Sequence, residues 1–407
     1  LWDIFTFSSP TRLTLYIKDL PTQIKTAEKE VRGPKVDSEN KIIEGFINAK
    51  NVLRENLFKK NTDKGTFFYI KEEAKNISVE ELIKEIIPKS LISIGWNKSM
   101  KWSNFNLMWG RPLRSIFSIF NKKKISFKFN HLEADDKVII EQDLGFKSKK
   151  IKNFKEYKDF LKSCNIIFDH NERKEIILKR ISFLSKSKDF KDRLNSKLLE
   201  EVVNIVENPN ILLINFNKEY LKIPKEIIIS TLEKHQRYFP AFDSRDRLTN
   251  YFFVVANKKD EQKLITEGNK RVVEARLSDA KFFWDKDRSK NLIKQIANLK
   301  EITFYEKLGT IYDKTQRIRQ LAALISDDFN INKEKVQIAA SISKTDLCSD
   351  LVGEYPELQG VMGKYFALSQ GFEEDVANSV QEHYLPVGLT SSLPKKPFSY
   401  SISIVDK

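Results

Sequence analysis

Alternation of apolar and polar positions predicts a strand-rich first part of the chain. Residues 12–17 (RLTLYI) alternate with a period of two, and residues 66–70 (TFFYI) combine aromatic and β-branched side chains, so both segments predict strands. Residues 79–87 have the spacing of a helix, which we expect to end before Pro88 because proline has no backbone N–H. Residues 114–129 predict a hairpin that turns over a basic segment of three lysines.

In the last quarter of the chain the apolar positions take the period of α-helices. One helical face is formed by Val336, Ala340, Ser343, Leu347 and Leu351. We expect Gly353 to end this helix and a second helix to begin at Pro356 and end at Gly371. Gly360 and Gly363 in the second helix predict a close approach to a neighbouring helix, and residues 373–384 predict a third helix.

These patterns predict a multidomain chain in which an α+β N-terminal region is followed by an all-α domain. We expect an α+β module over residues 1–150, a basic helical and α+β module over residues 151–300, and a helical domain over residues 301–407. The chain begins with Leu1 inside an apolar run and stops after another one. We therefore interpret it as an internal fragment of a longer protein.

The net charge of +15 is unevenly distributed. Residues 1–300 contain 60 lysines and arginines against 41 acidic residues, whereas residues 301–407 contain 11 against 15. A polyanion such as RNA is the natural partner of a strongly basic region. However, most of the basic residues are lysines in a chain rich in Ile, Asn and Phe, which an AT-biased coding sequence also produces, so charge alone leaves both explanations open.

Composition and missing motifs exclude several classes of protein. The two cysteines, Cys164 and Cys348, lie far apart in sequence, which argues against a disulfide framework and favours a reducing compartment. Two cysteines and four histidines nearly exclude a Cys/His zinc site. The sequence has no glycine-rich phosphate loop, no G-x-S-x-G and no H-E-x-x-H. No run of about 18 uncharged apolar residues occurs. We expect a cytoplasmic protein without a membrane span.

One acidic group could bind a cation. The i,i+4 spacing of Asp346 and Asp350 places both carboxylates on one face of the predicted helix, and Glu354 and Glu357 follow closely. Alternatively, these residues cap and solubilise the end of a helix. We favour the second interpretation because a catalytic metal centre would normally add histidines and the region offers only His383.

Two clusters upstream carry the side chains that unpaired nucleotides require. Residues 230–240 contain His235 and Arg237 beside tyrosine and phenylalanine rings, although the same residues could simply end a helix. Residues 267–284 predict a helix in which Arg276 can pair with the aspartate three positions later. The expected buried face of this helix consists of Val273, Leu277, Ala280 and Trp284.

The order of these motifs resembles that of the β subunit of bacterial glycyl-tRNA synthetase. The resemblance is most specific in residues 235–240 (HQRYFP), 267–269 (EGN), 276–283 (RLSDAKFF), 352–365 (VGEYPELQGVMGKY) and 382–386 (EHYLP). Weaker similarity extends upstream through residues 9–13, 32–34, 100–102 and 111–112.

The resemblance implies a division of labour between subunits. In this family the β subunit binds and positions tRNA(Gly), whereas glycine activation with ATP and Mg²⁺ and aminoacyl transfer take place on a separate α subunit of an α2β2 assembly. It implies no cofactor in this chain, and an anticodon-binding domain beyond residue 407. Residues 301–407 resemble an HD-like domain without metal ligands, because Thr345 and Asp346 stand where a His-Asp pair would be.

The resemblance also selects the residues that we expect to contact tRNA or to hold its binding surface: His235, Arg237, Arg271 and Arg276. Two alternatives are an HD-type metal-dependent phosphohydrolase, which the missing histidines disfavour, and a general RNA-binding protein, which the charge alone would permit.

Overall fold

The computed structural model describes residues 2–142 and 145–407, so that Leu1, where the expected apolar run begins, lies outside the described residues. The chain divides into two compact units, one made of the residues up to 8 with 12–167, the other of residues 9–11 with 168–407. A helix long and apolar enough to cross a bilayer is absent from the described residues. The boundaries expected near residues 150 and 300 stay a prediction.

The first unit is built mainly from short strands. Its strands are β1 (Ile4–Ser9), β2 (Arg12–Ile17), β3 (Gln23–Lys25), β4 (Lys29–Lys35), β5 (Phe58–Thr62), β6 (Gly65–Glu72), β7 (Asn76–Ser78), β8 (Met100–Lys101), β9 (Met108–Trp109), β10 (Ile116–Phe117), β11 (Ile119–Phe120), β12 (Lys123–Lys124), β13 (Lys128–Phe129), β14 (Leu132–Asp135), β15 (Lys137–Gln142) and β16 (Gly145–Lys150). Its helices are α1 (Asn40–Lys50), α2 (Val79–Ile92) and α3 (Phe154–Ser163). Small sheets such as β4-β6-β5 and β10-β14-β13 connect these strands.

The strands predicted at residues 12–17 and 66–70 are confirmed as β2 and part of β6. The prediction that the helix beginning at residue 79 ends before Pro88 is wrong, because α2 continues to Ile92. Its last turn is held by the bond from Ser93 N–H to the Lys89 carbonyl, and the Lys89–Glu85 ion pair at 2.6 Å spans the proline. Proline removes one backbone hydrogen bond from α2, but the helix continues because the hydrogen bonds of its last turn still form.

The hairpin predicted over residues 114–129 is shorter than expected. Strands β11 and β12 pair antiparallel, and the turn between them contains only Asn121 and Lys122, which both have positive φ angles of 47° and 63°. Two such residues form the turn whose twist matches a two-stranded hairpin. The rest of the segment pairs elsewhere, since β10 runs parallel to β14 and β13 runs antiparallel to it.

The second unit combines one sheet with most of the helices. Its helices are α4 (His170–Lys186), α5 (Ser196–Ile205), α6 (Lys225–Ser230), α7 (Leu264–Asp287), α8 (Leu292–Gln295), α9 (Ile311–Leu324), α10 (Lys333–Ile342), α11 (Asp350–Glu354), α12 (Val361–Ser369), α13 (Glu374–Glu382) and α14 (Pro397–Asp406). Its strands are β17 (Phe190–Lys191), β18 (Asn210–Asn215), β19 (Phe239–Asp243), β20 (Leu248–Ala256), β21 (Thr303–Tyr305) and β22 (Gly309–Thr310).

The antiparallel sheet β17-β19-β20-β18 separates two cores of the second unit. Successive side chains of a strand point to opposite faces, so Phe253 joins the core formed with α4 and α5, whereas Phe252 joins the core formed with α7 and the C-terminal helices. The strand-rich first part and helical last part expected from the sequence are both present. The C-terminal helices share their core with this sheet.

The single helix predicted from residue 336 to residue 351 is wrong. Helix α10 ends at Ile342, a 3₁₀ turn covers Thr345–Cys348, and α11 begins at Asp350. Hydroxyl groups explain the break, since Thr345 Oγ1 donates to the Ile342 carbonyl and Ser349 Oγ donates to the Asp346 carbonyl. Such side-chain bonds to the backbone compete with the regular helical pattern.

The predicted approach of helices at Gly363 is confirmed. A Cβ atom at this position would lie 2.6 Å from Val380 Cγ1 of α13 and 3.1 Å from Asp346 Oδ2. The predicted end of the second helix at Gly371 is also confirmed, because Gly371 has a φ of 78° directly after α12. The same helix begins later than expected, at Val361, since Gly360 before it has a φ of 79°.

We expect Gly363→Ala to lower the free energy of unfolding by about 1–3 kcal/mol, because the added methyl group overpacks the contact with α13. Gly353→Ala is the matched control, since its Cβ would meet nothing within 4 Å in helix α11 and alanine favours helices. Urea unfolding of the two variants measures the difference. Equal stability of both variants would contradict the close approach.

Candidate nucleic-acid interface

His235 lies at the end of a helical segment that is held in place from the C-terminal helices. Helix α6 continues into a π-helical turn over Thr231–His235. The imidazole ring stacks on Tyr355 with ring centroids 4.7 Å apart, and its Nε2 lies 3.4 Å from Glu357 Oε1. With 29% of its side chain exposed, His235 remains accessible at the surface.

Glu357 is itself oriented by the helix that carries His235. Ser230 Oγ donates a short hydrogen bond to Glu357 Oε1, and Thr231 Oγ1 lies 3.0 Å from the Tyr355 hydroxyl. Burial opposes the ionisation of Glu357, but the Ser230 hydrogen bond and the charges of Lys234 and His235 hold the pKa of the carboxyl below its usual range. The carboxylate therefore stays charged next to the imidazole.

Arg237 has a largely structural position. Its backbone adopts a φ of 61°, and its Nη1 donates to the carbonyls of Glu233 and Lys234, so the guanidinium satisfies carbonyl groups at the end of the helical segment. Its Nε lies 2.7 Å from Glu201 Oε2 of α5. The alternative interpretation of this cluster as a helix end is thus partly correct, because much of the guanidinium is occupied within the chain.

Tyr238 connects the HQRYFP segment to helix α7. Its hydroxyl donates a short hydrogen bond to Asn269 Oδ1, and Asn269 Nδ2 donates to the Ile265 carbonyl at 2.6 Å. The Tyr238 ring also stacks on Phe252 with centroids 5.4 Å apart. Burial raises the pKa of Tyr238, so its hydroxyl remains a donor. Asn269 belongs to the EGN segment, so two separate sequence motifs meet at this bond.

Arg271 and Arg276 lie on the outer face of α7, as the sequence pattern predicts. The predicted inner face is confirmed, because Val273, Leu277, Ala280 and Trp284 are all buried. Among the described residues neither arginine forms a hydrogen bond or an ion pair, and the expected pair of Arg276 with Asp279 is not formed. Their guanidinium groups are thus available to an external anion.

The two arginines have different surroundings. Arg271 lines an open groove together with Tyr220, Glu267, Lys270, Glu274, Ala275 and Ser278. Arg276 lies close enough to Tyr355 for its charge to act on the hydroxyl, although burial dominates and raises the pKa of Tyr355. His235 and Arg276 therefore border the same tyrosine, while Arg271 lies further along α7.

The structure adds contacts of His235 that the sequence did not predict. Tyr355 and Glu357 hold the His235 ring, and Ser230 holds Glu357. The family resemblance pointed to the VGEYPELQG segment, which contains Tyr355 and Glu357. The sequence did not show that this segment contacts His235, which lies 120 positions before Tyr355.

The four carboxylates considered for a cation site do not converge. Asp346 is fully buried and accepts hydrogen bonds from the N–H groups of Gly360 at 2.5 Å and Gly363 at 3.3 Å. Asp350 instead pairs with Lys286 at 2.8 Å, and Glu357 pairs with His235. Within residues 2–142 and 145–407, no three His, Cys, Asp or Glu residues are grouped to hold a metal ion.

His383 is fully buried in the same helical region. Its Nδ1 lies 2.8 Å from the Val380 carbonyl, and its ring contacts Tyr384 with centroids 3.8 Å apart. Burial lowers the pKa of His383 to about 3, and the nearby charge of Lys344 acts in the same direction. The imidazole is therefore neutral and packed as a core residue.

Comparison with known proteins supplies the family. The sequence model described as glycyl-tRNA synthetase beta subunit matches residues 2–407. The chain therefore belongs to the glycyl-tRNA synthetase beta subunit family.

Individual relatives agree with this assignment. The glycine–tRNA ligase beta subunit of Thermodesulfovibrio yellowstonii is 35% identical over 416 residues, covering 100% of this chain and 61% of the relative. That of Rickettsia canadensis is 33% identical over 389 residues, covering 95% and 58% respectively. The chain spans about three fifths of the length of these relatives.

We expect Asp346→Asn to change how stability depends on pH. Burial raises the pKa of the Asp346 carboxyl from 3.8 to about 6. The folded chain therefore binds a proton at Asp346 more tightly than the unfolded chain does. The free energy of unfolding that this proton contributes is lost as the pH rises from about 4 to above 6. Relative to the variant, the natural chain should lose about 2 kcal/mol between pH 4 and pH 7.

Urea unfolding at several pH values measures this difference. The control is Asp350→Asn, because hydrogen bonding to Lys286 lowers the pKa of Asp350. The difference in unfolding free energy between the natural chain and Asp350→Asn should therefore not fall between pH 4 and pH 7. A constant difference between the natural chain and Asp346→Asn would contradict a proton-binding Asp346.

Proposed function

We propose that this chain is part of the β subunit of a glycine–tRNA ligase, in which it binds and positions tRNA(Gly) for glycylation on a separate α subunit. The main support is that three family motifs meet in one place. Tyr355 of VGEYPELQG stacks on His235 of HQRYFP, and Tyr238 of HQRYFP bonds to Asn269 of EGN. Segments distant in sequence thus build one surface beside α7.

The chemistry of this surface suits an RNA backbone. Arg271 and Arg276 carry guanidinium groups without ion pairs in the described chain, and such groups bind phosphate oxygens strongly. We infer that they contact the tRNA directly. His235 and Arg237 have partners within the chain, so we infer that they mainly hold the surface and that His235 adds a contact through its exposed edge.

The other parts of the activity belong to the partner. We propose that ATP and Mg²⁺ bind at the α subunit of an α2β2 assembly in the cytoplasm. This chain would then contribute no catalytic residue. We also propose that residues 301–407 have an HD-like fold in which Asp346 serves as a structural residue.

Glycylation of tRNA(Gly) tests the proposal. An α subunit should charge tRNA efficiently with the full-length version of this chain and poorly without it. Equal charging by the α subunit alone would contradict the proposed role. Glycylation that proceeds with a mixture of unrelated tRNAs would instead favour a general RNA-binding protein.

We expect Arg271→Gln and Arg276→Gln each to weaken tRNA binding and to reduce the slope of log K against log salt concentration by about one, because each removes one phosphate contact. Arg288→Gln is the matched control at the end of the same helix, since Arg288 already pairs with Asp285 at 2.9 Å. Filter binding at several salt concentrations measures the slope. An unchanged slope in both variants would show that these arginines do not touch the backbone.

A further inference from the structure

The first unit contains an aromatic cleft that the proposed surface on α7 does not include. The cleft encloses about 290 Å³. Its aromatic and apolar lining includes Trp102, Phe105, Leu107, Leu113, His131 and Leu132. This volume lies just below the range of drug-sized ligand sites, about 300–1,000 Å³, which suits one flat ring system.

Trp102, which lines the cleft, is bonded to a packed aromatic cluster. Trp102 Nε1 donates to the Trp109 carbonyl at 2.9 Å, which fixes the indole ring that faces the cleft. Trp109 is buried and contacts both Phe129 and Trp96, with centroids 5.8 Å and 4.9 Å away. At Gly110 a Cβ atom would lie 2.8 Å from the Trp96 ring, so the backbone is packed directly against an aromatic face. A preformed cleft loses little entropy when a ligand binds.

A stacked pair of exposed rings lies at the edge of the cleft. Phe105 is 41% exposed, and its ring lies parallel to that of His131, with centroids 3.6 Å apart and an angle of 6° between planes. His131 is held by Asn130, whose Oδ1 lies 3.1 Å from Nδ1. Exposed stacked rings offer a flat face on which a further planar group can stack.

The segment of the chain that supplies the lining of the cleft contains no acidic residue. Residues 86–132 contain nine lysines and arginines and no aspartate or glutamate. Among the described residues, Lys101, which directly precedes Trp102 of the lining, donates to the neutral Asn106 Oδ1 at 3.3 Å and forms no ion pair with a carboxylate. Arg114 in the lining pairs with Glu141, so its charge is partly balanced. The local field therefore favours an anionic ligand.

We propose that this cleft binds an unpaired nucleobase of single-stranded RNA, which stacks with the Phe105–His131 pair while Lys101 attracts the adjacent phosphate. Aromatic faces beside a basic groove are the means by which proteins bind unpaired nucleotides. The assignment of the RNA as tRNA(Gly) rests on the proposed function. The base-binding property itself depends only on the cleft and its charge.

Binding of short oligonucleotides to the full chain tests the proposal. The probes are a fluorescent oligoadenylate of about ten nucleotides and an abasic oligomer of the same length, which has the phosphates without the bases. Phe105→Ala should weaken oligoadenylate binding about tenfold and leave the abasic oligomer within about twofold, since stacking on one ring is lost. Lys101→Gln should weaken both probes, because it removes an electrostatic contact.

Phe183→Ala is the matched control, because Phe183 is also exposed but lies on α4 outside the cleft. It should leave both affinities unchanged. The proposal is overturned if the abasic oligomer binds the natural chain as tightly as oligoadenylate, if neither probe binds, or if Phe105→Ala has no larger effect than Phe183→Ala. Such a result would leave the glycylation test unaffected, since that test depends on the full-length subunit and its partner.

Discussion

The buried carboxylate of Asp346 is the constraint on which the surface around His235 depends. Asp346 accepts the N–H groups of Gly360 and Gly363, which lie at the beginning of α12, where a negative charge is favourable. These two hydrogen bonds hold the segment just before α12, which contains Tyr355 and Glu357. Those two side chains in turn hold the His235 ring, so a core residue determines the shape of an exposed site.

Two kinds of cation on this surface have different physical roles. Arg237 donates to backbone carbonyls and pairs with Glu201, so its removal would first disturb the end of a helical segment. Arg271 and Arg276 project from a helix whose other face is packed in the core. The backbone under these two side chains is rigid, and an anion can bind them without breaking an internal ion pair.

Local patterns were reliable where one interaction determines the structure. The inner face of α7 followed from its spacing alone, and Gly371 ended a helix because glycine readily adopts a positive φ. Predictions failed where several weak preferences competed. Pro88 did not end its helix, and the hydroxyl groups around Asp346 broke a helix that the apolar spacing had predicted to be continuous.

The sequence by itself determined the family, the basic character of the first 300 residues and the basic and aromatic side chains on which the proposed RNA contacts depend. Those properties depend only on which residues occur and in what order, and the sequence gives both. Only the tertiary structure decided which of these side chains are occupied within the chain, because the partners of His235 and Tyr238 lie 120 and 31 positions away. It also brought Trp102, Phe105 and His131 into one cleft, since contacts between distant residues form only when the chain folds.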